Sequence, residues 1–390
     1  MKDVRMILVG GFLGAGKTTL LTRAARRLVE QGRRVGLITN DQAANLVDTG
    51  ILRQGGFDVG EVAGGCFCCR FSDFVAASDK LLNEIHPDVL FGEPVGSCTD
   101  LSATVLQPLK QLYAEWFRLA PFTVVTDPAR LEETLEADST AFPDNVVYIF
   151  RKQLEEADII ALNKTDLLSP GELSELKRKV AKKYPGTPLL CASALRGEGV
   201  DEWLDFVLKA PRAGTRMAEV DYDKYAAGEA ALGWLNCTVR LVRRSPRPPQ
   251  LQRRRIGEGG LRAATAADWR EFCAGFIERV REGLRGRPEH GRGAEIAHLK
   301  LLLNTAGGSL QANLTSSRGE PLFQGTVQGG PREALLMVNA RVRAEPEELQ
   351  AVIEKALASG PQKGVAVEIL TMASFKPGRP QPMHRYSDIV

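Results

Sequence analysis

The chain has 390 residues, 44% hydrophobic and 25% charged, ordinary for a globular protein with room for two domains. Its formal charge of +3 excludes the strongly basic balance of a polyanion binder, and no run reaches the ~18 apolar residues of a spanning helix. The apolar run at Val4–Val9 leads straight into a glycine-rich loop, so it reads as a strand rather than a signal peptide. A cytoplasmic location is therefore expected, where the seven cysteines stay reduced and point to metal or redox chemistry.

In chain order, Val4–Val9, Arg34–Thr39, Asp88–Phe91, Phe122–Thr126, Ile159–Asn163 and Pro188–Cys191 read as strands. Helix-like stretches lie between them at Thr18–Gln31, Phe71–Ile85, Gln153–Ala157 and Pro170–Tyr184. Almost wholly apolar strands alternating with amphipathic helices predict an α/β domain with a mostly parallel, doubly wound sheet over residues 1–210. Residues 211–220 read as a linker. Beyond it, strands at Trp234–Leu241, Glu295–Leu303, Ser309–Leu314, Ala334–Val342 and Val365–Thr371 and helices at Ala266–Leu284 and Glu345–Ala358 predict a smaller ferredoxin-like α+β domain over 221–390. The Arg-rich segments Arg243–Arg255 and Arg281–Arg292 carry no interleaved aromatics, so they read as solvated surface and no nucleic-acid partner is expected.

Gly11-Phe-Leu-Gly-Ala-Gly-Lys17-Thr18 fits G-x-x-x-x-G-K-[ST] between a strand and a helix. Glycines let the backbone N–H groups face phosphate oxygens, and the helix that follows points its positive end at them. Gly11, Gly14, Ala15, Gly16, Lys17, Thr18 and Thr19 are thus the expected phosphate-binding residues, with Lys17 on the β and γ phosphates and the Thr18 hydroxyl on Mg²⁺. The tetrapeptide Asn163-Lys164-Thr165-Asp166 ends a later strand, and a carboxylate there accepts from guanine N1–H and its 2-amino group, a donor pair adenine lacks. Ser193 and Ala194 follow the next strand and support the guanine edge, so Asn163, Lys164, Asp166, Ser193 and Ala194 predict GTP/GDP as ligand. Glu93-Pro-Val-Gly96 offers Glu93 for Mg²⁺ and the Gly96 amide for the γ-phosphate; Asp41 is a further candidate for Mg²⁺ or for orienting the attacking water, and Asp48 a weaker one. Lys17, Asp41 and Glu93 are the expected catalytic set of a slow GTPase with no assignable arginine finger.

Gly64-Gly65-Cys66-Phe67-Cys68-Cys69 places three thiols within four residues, a donor set for a soft cation such as Zn²⁺ or Co²⁺. Glu61, Cys98, water or a partner ligand would complete a tetrahedron. Three buried small hydrophobes or a redox relay are the competing readings. Because the cluster falls between Asp41 and Glu93, metal and nucleotide are expected to share one bistable segment. His86, His290, His298 and His384 are scattered, and His298 sits on a predicted strand.

With these motifs assembled, the first domain resembles the P-loop GTPase family that contains the CobW-type proteins and the nickel-insertion GTPases of urease and hydrogenase maturation. The match rests on residues 10–20, Gly-Cys-Phe-Cys-Cys at 65–69, Glu-Pro-Val-Gly at 93–96 and Asn-Lys-Thr-Asp at 163–166. Thr39-Asn40-Asp41 and the Pro-Val of the second motif depart from the usual CobW pattern. The resemblance implies a P-loop NTPase fold and a GTP-driven metallochaperone, with Cys66, Cys68 and Cys69 as metal ligands and a client metalloprotein or corrinoid-dependent protein as partner. A metal-sensing regulatory GTPase is the alternative. No membrane partner is expected, and a homodimer is compatible.

Overall fold

A computed structural model describes residues 4–41, 47–135, 142–243, 269–285, 294–359 and 364–390. They form two compact units, Met1–Ala231 together with Lys376–Val390, and Leu232–Phe375.

The first unit holds strands β1 (Val4–Gly10), β2 (Val35–Asp41), β3 (Asp58–Ala63), β4 (Val89–Glu93), β5 (Phe117–Leu119), β6 (Thr123–Thr126), β7 (Ile159–Leu162) and β8 (Leu189–Cys191). Its helices are α1 (Lys17–Glu30), α2 (Val47–Gln54), α3 (Phe71–Ile85), α4 (Gln107–Leu112), α5 (Pro128–Leu135), α6 (Asp144–Glu155), α7 (Pro170–Lys183), α8 (Val200–Lys209) and α9 (Tyr222–Ala230). The sheet runs β3-β2-β4-β1-β6-β7-β8, with β5 also on β1, and every pairing is parallel. Helices cover both faces, which is why β4, β6 and β7 are buried at every residue. On α1, Leu20, Leu21, Ala24, Ala25 and Leu28 make the buried stripe that seats it on Ile7, Val9, Leu37 and Phe91. Trp203 of α8 closes that core with no exposure and donates its indole N–H to Thr123 Oγ1 at 3.0 Å.

Residues 211–220, expected as a linker, are held against the first unit: Asp158 accepts the N–H groups of Gly214 and Thr215 at 2.6 and 2.8 Å. The segment 142–158 also differs from expectation, because the helix begins at Asp144 and not at Gln153.

The second unit comprises β9 (Gly233–Arg243), α10 (Trp269–Arg285), β10 (Ile296–Thr305), β11 (Gly308–Leu314), β12 (Leu322–Val327), β13 (Glu333–Val342), α11 (Pro346–Ala358) and β14 (Val365–Phe375). Its antiparallel sheet runs β12-β11-β10-β13-β9-β14. Without the β11–β12 hairpin extension this is the split β-α-β order of a ferredoxin-like fold. Alternate residues of β9, β10 and β13 (Val239, Leu301, Val338) pack against Phe276 of α10 and Ile353 of α11. His298 is buried in β10. His290 and most of the two Arg-rich segments lie outside the described residues.

Candidate nucleotide and metal site

β1 sits between β4 and β6, and the chain leaves its end into the crevice where neighbouring strands diverge. The loop that follows turns on Gly11, Gly14 and Gly16, whose φ values of 121°, 80° and 95° are open to glycine. At Gly11 a Cβ would stand 2.0 Å from the Val125 carbonyl oxygen, and at Gly16 2.3 Å from Asn163 Nδ2. The Lys17 ammonium, almost fully buried, donates to the Gly11 and Phe12 carbonyls at 2.9 and 3.3 Å, so it spans the loop from within. A Cβ on Gly96 would meet Leu13 Cδ2 at 2.7 Å and Lys17 Nζ at 3.1 Å; bare backbone therefore faces the lysine. Ala15 is buried in the loop and Thr19 lies in the first turn of α1.

Two carboxylates converge on one hydroxyl. Thr18 Oγ1 lies 2.9 Å from Asp48 Oδ1 and 3.0 Å from Glu93 Oε1, and its single proton can serve one of them at a time. Acidic oxygens gathered around a hydroxyl at the mouth of a phosphate loop are the donor set of a hard cation, so these residues fit Mg²⁺. Asp48 thus joins Glu93 in the position that sequence ranked lowest. Asp41 ends β2, and its side chain lies outside the described residues.

The base-recognition loop is tied to the phosphate loop by one amide. Asn163 Nδ2 donates to the Ala15 carbonyl at 2.8 Å, and its Oδ1 accepts from Ala194 N–H at 2.8 Å. Lys164 adopts a left-handed φ of 58° and pairs with Asp127, a residue sequence reasoning missed, at 3.0 Å. Asp166 follows in a short 3₁₀ turn, 3.8 Å from Arg196 Nε. Ser193 Oγ accepts the Arg196 N–H at 3.2 Å. Arg23 of α1 donates to the Ala194 and Leu195 carbonyls, locking this loop to the phosphate-binding helix.

The cysteine motif forms a turn that opens α3, with Cys69 and Arg70 N–H groups both donating to the Cys66 carbonyl at 3.0 and 2.9 Å. Gly64, at φ 82°, takes the left-handed backbone that leads into this turn. The Sγ atoms of Cys66, Cys68 and Cys69 all lie within 4.8 Å of one another, and they are the group of metal-capable side chains found among the described residues. Tetrahedral zinc with Zn–S near 2.3 Å needs sulfurs about 3.8 Å apart. Cys68 and Cys69 already stand at 3.8 Å, whereas Cys66 is 3.3 Å from Cys69 and 2.8 Å from Cys68 and would open slightly on binding. The three donors fit a soft divalent ion.

Their protons are unevenly held. Hydrogen bonds from Cys68, then Cys69 and Cys98, hold the Cys66 thiol well below its ordinary value, while the bond to Cys66 pushes Cys69 up to about 11. Cys98, fully buried, is raised by burial and by its bond to Cys66. Cys98 lies near the cluster without joining the group of three sulfurs, while Glu61 lies 3.8 Å from Arg53.

Asn40 is the link sequence reasoning missed. Standing at the end of β2, it donates to the Val62 and Gly65 carbonyls at 2.9 and 2.7 Å and accepts the Phe67 N–H at 2.8 Å. Phe67, between the first two cysteines, is buried on Phe74 with ring centroids 4.5 Å apart. On the other side, the stretch from Glu93 to Cys98 is pinned by Gln153 Nε2, which donates to the Gly96 and Cys98 carbonyls at 3.0 and 2.8 Å. Ser97 donates to Glu229 at 2.6 Å, and burial together with the charge at Cys66 pushes that carboxyl up to about 8.

Residues 5–190 match the family described as CobW/HypB/UreG, nucleotide-binding domain. Curated relatives include a zinc chaperone CobW of Sinorhizobium sp., 28% identical over 205 residues covering 47% of this chain and 57% of the relative. Another is the zinc chaperone YeiR of Escherichia coli K12, 30% identical over 176 residues covering 45% of this chain and 50% of the relative. The chain thus spans about half the length of the curated relatives it matches. Among solved structures, HypB from Helicobacter pylori in complex with nickel is 19% identical, covering 56% of this chain and 92% of that one with a TM-score of 0.39.

Proposed function

We propose that this chain, whose residues 5–190 form a nucleotide-binding domain of the CobW/HypB/UreG family, is a GTP-hydrolysing carrier of a thiophilic divalent metal. Asp166 selects guanine, the phosphate loop with Lys17 holds the phosphates, and Thr18, Asp48 and Glu93 would hold Mg²⁺, which would supply positive charge beside the phosphates. Lys17 and the loop amides stabilise the charge that moves to the β-phosphate as the β–γ bridge bond breaks; Asp41 at the end of β2 orients the attacking water. Zinc, the metal for which the CobW and YeiR relatives are named, is the first choice for Cys66, Cys68 and Cys69. Cobalt is the close alternative.

One observation carries the coupling: the same two stretches of chain serve both sites. Glu93 meets Thr18, while Cys98, five residues further on the same stretch, lies close enough to Cys66 for the two thiols to shift each other's protonation. The end of β2 carries Asp41, and its neighbour Asn40 clamps the cysteine loop. A rearrangement on loss of the γ-phosphate is thereby transmitted to the sulfurs, and the metal passes to a client in the cytosol. No described helix is long and apolar enough to cross a membrane.

Purified protein is expected to take up about one equivalent of Zn²⁺, with different affinity beside GTP analogue and beside GDP. Alanine at all three cysteines should abolish that uptake; unchanged affinity contradicts the reading. Transfer of zinc to an apo-acceptor on hydrolysis separates a carrier from a metal-sensing regulatory GTPase, which keeps its ion.

A further inference from the structure

After the second unit the chain returns at Lys376, and residues 376–390 belong to the first unit. This segment crosses the cysteine motif. Its sequence, Pro377-Gly-Arg-Pro380-Gln-Pro382-Met-His-Arg-Tyr386, interleaves prolines that have no N–H with residues that do. Both N–H groups left between and after Pro380 and Pro382 are spent on the cysteine loop: Gln381 donates to Cys69 Sγ at 3.1 Å, and Met383 to the Cys68 carbonyl at 2.9 Å. The His384 ring then stands edge-on to Phe71, 5.0 Å between centroids, at the start of α3. Prolines restrict the segment before it docks, so little ordering entropy opposes the contact.

The far side of this crossing is a charged anchor. Arg385 Nε donates to Asp100 Oδ2 at 2.7 Å, and Tyr222 OH donates to the same oxygen at 2.7 Å. Asp100 has no exposure, a left-handed φ of 64°, and an Oδ1 with no hydrogen-bond partner among the described residues. A buried carboxylate in that setting depends on its cation. Tyr386 N–H bonds the Ala103 carbonyl at 3.1 Å, continuing the strap past the anchor. Asp100 lies on the stretch that carries Glu93 and Cys98, so the anchor and the nucleotide site share one length of chain.

Cys66 and Cys68 are buried, and Cys69 is the half-exposed member of the cluster. The route from solvent to the sulfurs passes Cys69, the sulfur the strap touches. We propose that residues 376–390 are an intramolecular strap that covers the cysteine motif, latched by Arg385 on Asp100, and that metal enters or leaves the cluster when the latch opens. This rests on the cluster being the metal site. Gln381 acts as a positioning residue, because its N–H directs a Cys69 lone pair away from the other sulfurs.

The test uses the full-length, metal-free protein and the rate of iodoacetamide modification at each cysteine, read by peptide mass spectrometry. Arg385→Met should raise modification at Cys69 about tenfold, as expected for loss of a charge-assisted bond, with Arg385→Lys in between. Gln381→Pro, which removes the donating N–H along with the glutamine side chain, should raise it as well. Cys191, on β8 of the same unit, reports its folding and should react at the parent's rate in all folded variants. Should Arg385→Met unfold the protein, Gln381→Pro and Arg385→Lys carry the test. Rates at Cys69 equal to those of the parent protein in the folded variants overturn the strap. Added Zn²⁺ should protect the three cysteines in every variant; failure to protect while the rates differ sinks the metal reading and leaves the cover standing.

Discussion

Two carboxylates meet one threonine hydroxyl, and sequence ranked one of them, Asp48, below Asp41. Asp41 follows a strand and looked the better ligand, yet Asp48 meets Thr18 because α2 starts at Val47 and turns its first-turn acid inward. Spacing cannot show which way a helix that short faces. Asp48→Asn keeps the shape and removes the charge, so Mg²⁺ should half-saturate hydrolysis at about 10- to 100-fold higher concentration. A titration matching the parent protein would remove Asp48 from the site. Asp166 behaves oppositely: its motif was legible because four residues of fixed order end a strand. Asp166→Asn exchanges an acceptor for a donor, and GTP affinity should fall about 10- to 100-fold while xanthosine triphosphate, with a carbonyl at that edge, gains. Equal losses for both nucleotides would show that Asp166 does not read the base.

At the scale of elements, six of the parallel strands were readable from their apolar runs, whereas β3, the short β5 and α2 were not. β3 is mostly half-buried at the sheet edge and carries Asp58 and Glu61, so no apolar run marks it. Asn40 was silent for a related reason, since a polar residue ending a strand declares nothing about the loop it holds 22 to 27 positions later. Asn40→Ala leaves the Phe67 N–H and two carbonyls unpaired, costing about 1–3 kcal/mol at each buried group that water does not reach. Zinc affinity should drop about tenfold although no sulfur is altered; affinity equal to the parent's would dissociate the clamp from the cluster. Glu156, beyond the end of α6, accepts the Ser102 N–H at 2.8 Å and is pushed from its ordinary 4.5 up to about 8 by burial, with Asp100 adding to the rise. The unfolded chain gives up that proton near the ordinary value while the folded chain keeps it, so stability falls as pH rises from 4.5 to about 8. Urea midpoints of Glu156→Gln should decline less over that window than those of the parent protein, and parallel slopes would contradict this.

For the whole molecule, the change from helix-and-strand alternation to an antiparallel pattern revealed two folds, but not their boundaries. Residues 376–390 rejoin the first unit through backbone N–H groups and two arginines, Arg379 on Asp223 and Arg385 on Asp100, contacts that no periodicity announces. The core around Leu20 belongs to the first unit, which carries the phosphate loop, and the core around Phe276 to the second. GDP at a hundredfold excess over Kd should stabilise the first unit by about 2.7 kcal/mol. Calorimetry with and without GDP would show a transition moving up; no transition moving would contradict a nucleotide site in that unit.

In the proposed mechanism nucleotide and metal read one another through the stretches 40–41 and 93–98. The most direct test is the absorption spectrum of the cobalt-substituted protein, taken with a GTP analogue and again with GDP. The coupled site predicts thiolate-to-cobalt bands in both, with energies or intensities that change on exchanging the nucleotide. Identical spectra in the two states, or bands that survive alanine at Cys66, Cys68 and Cys69, would contradict it.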